Sequence, residues 1–144
     1  MKTVRDILRE KGDTVYSIAP DATVYEALAL MADKNIGGLV VLEKDQIVGL
    51  ISERDYARKV ILKEKHSQDT PVRKIMATNV ITVDPDKDIE ECMELMTEHR
   101  IRHLPVIAEE KLSGIISIGD IVKEIITHKE YIIEQLENYI KGWR

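Results

Sequence analysis

The segment GLISERD at residues 49–55 recurs 65 residues later as GIISIGD at residues 114–120. At this spacing residues 15–58 align with residues 80–123 without a gap, and 13 of the 44 aligned positions are identical. Average residue usage predicts roughly 3 identities by chance. The chain therefore contains an internal duplication, and its two copies are expected to share one fold.

Each copy predicts a strand, a helix, a β-hairpin and a second helix, in that order. A β-branched segment before a proline is typical of a brief strand. An apolar stripe at helical spacing, with capping-box residues at its start, indicates the first helix. Two apolar runs around a polar turn predict the hairpin, and the last helix begins after the repeated serine. The predicted bounds are strands at 15–19 and 80–84, helices at 24–35 and 89–100, and hairpins at 38–52 and 103–117.

A weaker repeat, VRDIL at 4–8 and VRKIM at 72–76, predicts a short lead-in helix before each copy. A half of about 50 residues with one three-stranded sheet leaves a sheet face uncovered. The copies are therefore expected to pack with pseudo-twofold symmetry in an α/β (α+β) fold, with two equivalent ligand clefts at their junction. The predicted division is repeat 1 with its lead-in at 1–64, a linker at 65–71, repeat 2 at 72–127 and a C-terminal amphipathic helix at 128–144.

Composition narrows the class of protein. The chain has 144 residues, 44% of them hydrophobic, a net charge of −5 and a single cysteine, which excludes an intramolecular disulfide and a cysteine-built zinc site. The net negative charge and the absence of runs of basic residues argue against nucleic-acid binding. The longest apolar run is too short to span a bilayer, and the charged start is unlike a secretory signal. These features predict a soluble, cytoplasmic protein with neither nucleic acid nor membrane as partner.

The tail outside the duplication carries an apolar stripe on its predicted helix, formed by Ile132, Ile133, Leu136 and Ile140. One interpretation is that the helix folds back on its own subunit or on a dimer partner. The other is that it forms a docking surface for a different protein. Trp143 would anchor either arrangement.

The repeated serine and aspartate, Ser52 with Asp55 and Ser117 with Asp120, allow two interpretations. A serine followed three residues later by an acid at a helix start is the pattern of a reciprocal N-cap. The functional interpretation is that the free N–H groups of the helix start suit an anion and that the carboxylate accepts hydrogen bonds from both hydroxyls of a ribose. The two roles are compatible, because a serine hydroxyl can accept from the backbone and donate to a ligand.

The His-Leu-Pro-Val stretch at 103–106, its counterpart Gly-Leu-Val-Val at 38–41 and the two Gly-x-Ile-Ser-x-x-Asp segments resemble a tandem cystathionine-β-synthase (CBS) domain pair, also called a Bateman module. The resemblance covers residues 1–127 and extends to short stand-alone bacterial members with a C-terminal helix. It implies two βαββα units per chain, homodimers in the form of a four-unit disc, and adenosine-containing ligands such as AMP, ATP, NAD or S-adenosylmethionine. The chain departs from the family pattern at Val40, where proline is expected, and has serine where threonine is common.

The resemblance also implies which residues bind the ligand. The serine and aspartate of one repeat would hold the ribose, while first-strand residues and those before Pro-Val, often from the opposite repeat, would line the base and phosphates. One implied site comprises Ser52, Arg54, Asp55, Arg58, Thr82, Arg102 and His103, the other comprises Ser17, Gly37, Gly38, Ser117, Gly119 and Asp120, and Pro105 completes the set.

The two implied sites are unequal in charge. Arg102 and His103 would neutralise phosphates beside Asp55, and Arg54 and Arg58 add further positive charge, whereas the second site gains only glycines. The Asp55 site is therefore expected to bind phosphate-rich ligands more tightly. The alternative for the arginines is a solvated helix face.

The remaining chemistry-bearing residues favour structural roles. His66, His99 and His128 lack the spacing of a metal site, and Cys92 takes the place of a small core residue. No nucleophile with an evident base appears, so neither catalysis nor a catalytic cofactor is expected. The leading hypothesis is an energy or redox sensor whose ligand alters the arrangement of the repeats or orders the tail. The alternative is a ligand-independent dimerisation or docking scaffold, for which the tail stripe would be exposed.

Overall fold

The computed structural model describes residues 2–141, the side chain of Tyr139 excepted. Within them the chain forms two compact units. The first-repeat unit is Thr14–Ile81, and the second-repeat unit combines residues 2–13 with residues 82–141. The helices and strands are α1 (Val4–Lys11), β1 (Ser17–Ile18), α2 (Val24–Lys34), β2 (Gly38–Glu43), β3 (Gln46–Ser52), α3 (Glu53–Lys59), α4 (Ile89–His99), β4 (His103–Ala108), β5 (Lys111–Ser117) and α5 (Ile118–Lys141).

The first-repeat unit is built on a three-stranded sheet with the order β1-β2-β3. β1 is parallel to β2, and β2 is antiparallel to β3. Helix α2 begins where the Thr23 hydroxyl accepts from the backbone N–H of Glu26 at 3.1 Å and ends at Asn35 in the left-handed conformation. Its buried side chains Val24, Ala27 and Met31 belong to one cluster with Leu39 and Val41 of β2 and Ile51 of β3. The predicted strand, helix and hairpin of this copy are therefore confirmed.

The second-repeat unit repeats the helix and hairpin but not the first strand. The strand predicted at 80–84 is wrong, because only an isolated bridge joins Val83 to Val106 and the sheet has the two strands β4 and β5. Pro105 stands at the place of Val40, which pairs with Ser17 in the first copy. Since proline has no backbone N–H, it cannot donate the hydrogen bond that would lengthen this ladder.

The two lead-in segments differ in form. The helix predicted at 4–8 is present as α1, whereas the helix predicted at 72–76 is wrong, because only a 3-10 turn, Val72–Lys74, forms there. The chain leaves this turn to pair with β3, where the N–H and C=O of Ala77 bond to Leu50 at 2.8 and 3.0 Å. This edge pairing requires extended backbone and so ends the helical turn early.

Each lead-in segment packs on the copy that it does not precede in sequence. In the first-repeat unit Val72 N–H donates to Ala22 C=O at 2.8 Å, and Arg73 pairs with Asp21 at 3.1 Å. The same contacts in the second-repeat unit are Val4 N–H to Lys87 C=O at 2.9 Å and an ion pair between Arg5 and Asp86. The compact units therefore group the lead-ins differently from the sequence division at 1–64 and 72–127.

The repeated glycine of Gly-x-Ile-Ser-x-x-Asp makes this packing possible. A Cβ atom on Gly49 would lie 2.9 Å from the carbonyl oxygen of Ala77, and one on Gly114 would lie 2.8 Å from Cδ2 of Leu8. Both distances are shorter than a normal carbon contact. The glycine is thus explained by close approach of a lead-in segment in each unit.

The tail is not a separate helix. The final repeat helix and the helix predicted at 128–144 form one continuous element, α5, which the structure describes to Lys141. No proline or glycine interrupts the chain between Asp120 and that residue, so nothing in the sequence ends the helix. Ile121 and Glu124 are buried, but from Thr127 onward every described side chain is exposed. Within these residues the tail does not fold back on its own subunit, and Trp143 lies outside the described residues.

Candidate functional site

The candidate residues of the first repeat meet at one end of its sheet. Gly38, at the start of β2, lies opposite Ser52, at the end of β3, and the N–H of Glu53 donates to the C=O of Gly37 at 3.2 Å. Ser17 begins β1, which runs parallel to β2, so it belongs to the same end. Ser17, Gly37 and Gly38 therefore lie beside Ser52 of their own repeat, and their assignment to the ligand of Ser117 and Asp120 stays a prediction.

Ser52 and Asp55 form a reciprocal cap at the start of α3. The Asp55 carboxylate accepts from the N–H of Ser52 at 2.9 Å and from its hydroxyl at 3.1 Å, while the N–H of Asp55 donates to Ser52 Oγ at 3.3 Å. The other carboxylate oxygen lies 3.1 Å from Nζ of Lys59, which also donates to the C=O of Ile75 at 2.9 Å. The capping interpretation is confirmed here, and the cap holds the carboxylate in a fixed direction.

The second-repeat unit assembles its candidates in the same way. His103 begins β4 opposite Ser117 at the end of β5, and the N–H of Ile118 donates to the C=O of Arg102 at 2.9 Å. Pro105 is buried within β4, and Thr82 is exposed and directly precedes the bridging residue Val83. Arg102 and His103 therefore lie beside the serine of their own repeat.

Asp120 occupies the position equivalent to Asp55. Its carboxylate accepts from the N–H of Ser117 at 2.8 Å, and its own N–H donates to Ser117 Oγ at 3.2 Å, so the capping interpretation is confirmed in this unit too. The same carboxylate oxygen lies 2.8 Å from Nζ of Lys11, and that ammonium also donates to the C=O of Ile115 at 2.9 Å. Asp120 thus binds a cation supplied by α1.

The pKa of Asp120 reflects these contacts. Burial by itself would raise the pKa of this carboxyl. The ammonium of Lys11 and the N–H of Ser117 stabilise the charged form more strongly, and the pKa lies below its ordinary value of 3.8. The carboxylate is therefore ionised at neutral pH and is a hydrogen-bond acceptor only.

Lys59 and Lys11 are site residues that the motif analysis missed. Lys59 follows Asp55 by four residues on one helix, and this spacing is a signal that the sequence does contain. Lys11 precedes Asp120 by 109 residues, and no periodicity connects them. Only the packing of α1 in the second-repeat unit brings this ion pair together.

The remaining charged candidates differ in exposure. Arg58 and Arg102 are exposed, whereas Arg54 and His103 are half-buried, and Gly119 is exposed in the first turn of α5. Each lies in the unit of its own repeat. The assignment of Arg102 and His103 to the ligand of Asp55 stays a prediction.

Cys92 is buried on α4, and burial raises the pKa of its thiol to about 11. Its predicted role as a core residue agrees with this burial. Residues 2–141 contain no group of three or more histidine, cysteine, aspartate or glutamate side chains arranged to hold a metal ion. In the same part of the chain, no helix is long and apolar enough to cross a membrane.

Comparison with known proteins identifies the family. The CBS domain model matches twice, at residues 4–62 and 72–127. The chain therefore belongs to the CBS domain family and carries a tandem pair of these domains. This result confirms the predicted family resemblance and the predicted fold class. CBS pairs of this kind are regulatory modules.

Relatives and solved structures cover almost the whole chain. The mitochondrial CBS domain-containing protein CBSX3 of Arabidopsis thaliana is 37% identical over 97% of this chain and 72% of its own length. The structure of a CBS-domain protein from Burkholderia ambifaria MC40-6 has a TM-score of 0.86 and 50% identity, covering 88% of this chain and 95% of that one.

A second solved structure is similar in fold and contains ligands. The CBS domain pair of protein MJ0100, in complex with 5'-methylthioadenosine and S-adenosyl-L-methionine, has a TM-score of 0.78 and 24% identity. The alignment covers 90% of this chain and 98% of that one. At this level of identity, the likeness concerns the fold alone.

Proposed function

We propose that this protein is a sensor module that binds adenosine-containing ligands, among which AMP, ATP, NAD and S-adenosylmethionine are the candidates. The observation that carries the proposal is the repeated Ser-x-x-Asp cap, which presents an oriented carboxylate at the same end of the hairpin in both units. The adenosine compounds bound by protein MJ0100 support this class of ligand.

The capped carboxylates suit the recognition of a ribose. Asp55 and Asp120 have side chains that are 17% and 21% exposed, so each is shielded by its unit but reachable from solvent. An ionised carboxylate has two oxygens and accepts from two neighbouring hydroxyls at once. Because the cap already fixes the carboxylate, little side-chain entropy is lost when the ribose binds.

Positive charge near each carboxylate suits a phosphate. In the first-repeat unit Lys59 contacts Asp55, and Arg54 and Arg58 lie on the same helix. In the second-repeat unit Lys11 contacts Asp120. We propose that these cations favour phosphorylated ligands over adenosine, with the Asp55 site favoured because it carries more of them.

Regulation follows if the ligand distinguishes between two conformations of the module. A ligand shifts an equilibrium only by its difference in affinity for the two states. We further propose that the module acts in the cytoplasm without catalysis of its own, and its one cysteine, a buried free thiol, suits a reducing compartment.

Isothermal titration with AMP, ATP, NAD and S-adenosylmethionine tests the proposal, after unfolding and refolding to remove co-purified nucleotide. Asp55→Asn keeps an oxygen that can accept from the Ser52 N–H but removes the charge, so it separates ligand binding from capping. Loss of a charge-assisted pair to ribose should weaken binding by about 1.5–3 kcal/mol. Asp33→Asn is the matched control, because Asp33 is an exposed aspartate at the end of α2 whose side chain is 72% accessible.

Saturable binding that Asp55→Asn or Asp120→Asn weakens and the control does not would support the proposal. Binding curves that coincide for all four proteins would reject the site. Double variants show which ligand Arg102 contacts. If the losses of affinity in Arg102→Ala and Asp55→Asn are not additive in the double variant, both residues contact the same ligand. If the losses in Arg102→Ala and Asp120→Asn are the ones that are not additive, Arg102 contacts the ligand of its own repeat.

A ligand-independent dimerisation or docking scaffold is the second candidate function. The observation that favours it is the exposure of the tail stripe, where Ile132, Leu136 and Ile140 are 43%, 57% and 68% accessible. This exposure is the feature expected of a scaffold. No heat of binding from any of the four ligands would place this function first.

A further inference from the structure

Two acidic side chains of α5 bind lysines that belong to the N-terminal segment. Asp120 and Glu124 are four residues apart, so they lie on the same side of α5. Nζ of Lys11 lies 2.8 Å from Oδ2 of Asp120, and Nζ of Lys2 lies 3.4 Å from the Glu124 carboxylate. Lys11 is the last residue of α1, and Lys2 precedes that helix by two residues. The two ion pairs therefore join both ends of α1 to the start of α5.

The first-repeat unit neutralises its carboxylate with a cation from the same helix. Lys59 takes the place of Glu124 in the alignment of the two copies, and it pairs with Asp55 within α3. In the second copy an acid stands at that position, and like charges four residues apart on a helix repel one another. The second-repeat site thus depends on α1 for the cation that binds the Asp120 carboxylate.

The two halves of α1 are held to the second-repeat unit in different ways. Val4 and Ile7 anchor the first half, because both side chains are buried. Every residue from 9 to 13 is exposed, and the Lys11 ammonium bonds this exposed turn to α5 and β5. The chain then continues to Thr14, where the first-repeat unit begins. Loss of the Lys11 contacts would therefore loosen the end of α1 that leads into the first-repeat unit.

A ribose bound at Asp120 would compete with Lys11 for the carboxylate. Oδ2 already accepts from two donors at 2.8 Å each, the backbone N–H of Ser117 and the Lys11 ammonium. A carboxylate oxygen accepts about two hydrogen bonds, and two neighbouring hydroxyls need both oxygens of the carboxylate at once. The N–H of Ser117 is fixed by the helix start, whereas the ammonium lies on a flexible side chain. The ammonium is therefore the donor that a ribose displaces.

We propose that Lys11 is a ligand-displaced clamp: a nucleoside that binds Asp120 displaces the Lys11 ammonium and frees the last turn of α1. The inference rests on the proposed nucleoside site and adds how its occupancy changes the protein. The coupling is reciprocal, because the ligand weakens the clamp by the same factor by which the clamp weakens ligand binding. A phosphorylated ligand can bind the displaced ammonium through its phosphate, so adenosine gives the clearest measure of the competition.

Hydrogen–deuterium exchange of the full chain tests the release of α1. An Asp55→Asn background restricts the measurement to ligand bound at Asp120. Saturating adenosine should accelerate exchange of the backbone amides of residues 9–12 by about fivefold, the factor expected for a partly exposed ion pair. Adding Lys11→Met should give this faster exchange without ligand, and adenosine should not increase it further. Arg9→Met is the matched control, because Arg9 is an exposed cation of the same turn, and it should leave the adenosine response unchanged.

Titration in the same background tests the reciprocal effect. Lys11→Met should bind adenosine about fivefold more tightly than the protein that retains Lys11. A purely structural role of Lys11 predicts the opposite sign, because loss of a supporting contact would weaken binding. The gain should be smaller for AMP, since methionine cannot pair with a phosphate.

The outcomes separate this inference from the proposed function. If adenosine binds but leaves exchange of residues 9–12 unchanged, or if Lys11→Met binds adenosine equally well or more weakly, the clamp is overturned and the binding site stands. If neither adenosine nor AMP binds the Asp55→Asn protein, the proposed function fails at Asp120, and the clamp fails with it.

Discussion

Replacement of Lys11 by methionine isolates the contact that joins α1 to the second-repeat cap. The Lys11 ammonium lies 2.8 Å from Asp120 Oδ2 and 2.9 Å from the carbonyl oxygen of Ile115. The two side chains of the ion pair are 33% and 21% exposed, so solvent screens part of the attraction. A charge-assisted hydrogen bond in this partly exposed position contributes about 1 kcal/mol. The variant should lose about that much stability and unfold about 3 °C below the wild type.

The effect should depend on pH with a defined sign. The native pKa of Asp120 lies below its ordinary value of 3.8, so the carboxylate stabilises the folded state above that pH. This contribution is lost as the pH falls through the lowered native pKa. Lys11→Met should raise the pKa of Asp120, because burial then opposes ionisation with less compensation. The stability difference from wild type should therefore be full near neutral pH and shrink below about pH 3.8.

Urea unfolding at neutral and acidic pH measures this difference, and the carboxyl carbon chemical shift of Asp120 follows its pKa directly. Lys87→Met is the matched control, because the Lys87 side chain is also 33% exposed and pairs with Glu91 at 3.3 Å without touching a cap. It should cost less than about 0.5 kcal/mol. A loss for Lys11→Met that is equal at both pH values, or an unchanged pKa of Asp120, would refute the electrostatic role of Lys11.

Three further predictions follow from packing and charge. Gly49→Ala should lower the free energy of unfolding by about 2 kcal/mol, because its Cβ atom would lie 2.9 Å from a backbone carbonyl oxygen. Gly114→Ala should lower it by less, because the Leu8 side chain can turn away. Equal losses in urea unfolding would contradict this prediction. Cys92, buried and with a thiol pKa of about 11, should react with Ellman's reagent only on unfolding, and rapid labelling of the folded protein would show that its site opens readily. Arg102→Ala should weaken AMP and ATP binding more than adenosine binding, whereas a uniform loss in titration would indicate a structural role.

The duplication predicted the fold well because both copies must bury the same apolar pattern. The strand predicted at 80–84 is missing because of one residue. Pro105 has no backbone N–H, whereas Val40 at the equivalent position of the first copy has one. The proline was visible in the sequence, and its effect on the preceding strand followed only once the register of the parallel pair was known. Similarly, the lead-in at 72–76 has a helical pattern, but pairing with the edge of β3 overrides it.

The contacts of the candidate site between residues close in sequence were predictable, and those between residues distant in sequence were not. The Ser-x-x-Asp spacing fixed the cap geometry, because all its bonds lie within four residues of one helix start. Lys11 was not predictable, because its contact with Asp120 depends on where α1 packs. The tail stripe was recognised from its period, yet its continuity with the final repeat helix depended on the absence of any residue that ends a helix.

The most direct test of the sensor function is titration of AMP into the wild type and into an Asp55→Asn/Asp120→Asn double variant, each freed of co-purified nucleotide. Asp33→Asn/Glu98→Gln carries the same loss of charge at equivalent exposed positions of α2 and α4 and serves as the control. The proposed function predicts saturable binding to the wild type and the control and at least a roughly tenfold weaker affinity for the double variant. Equal affinity for all three proteins would contradict the role of the capped carboxylates.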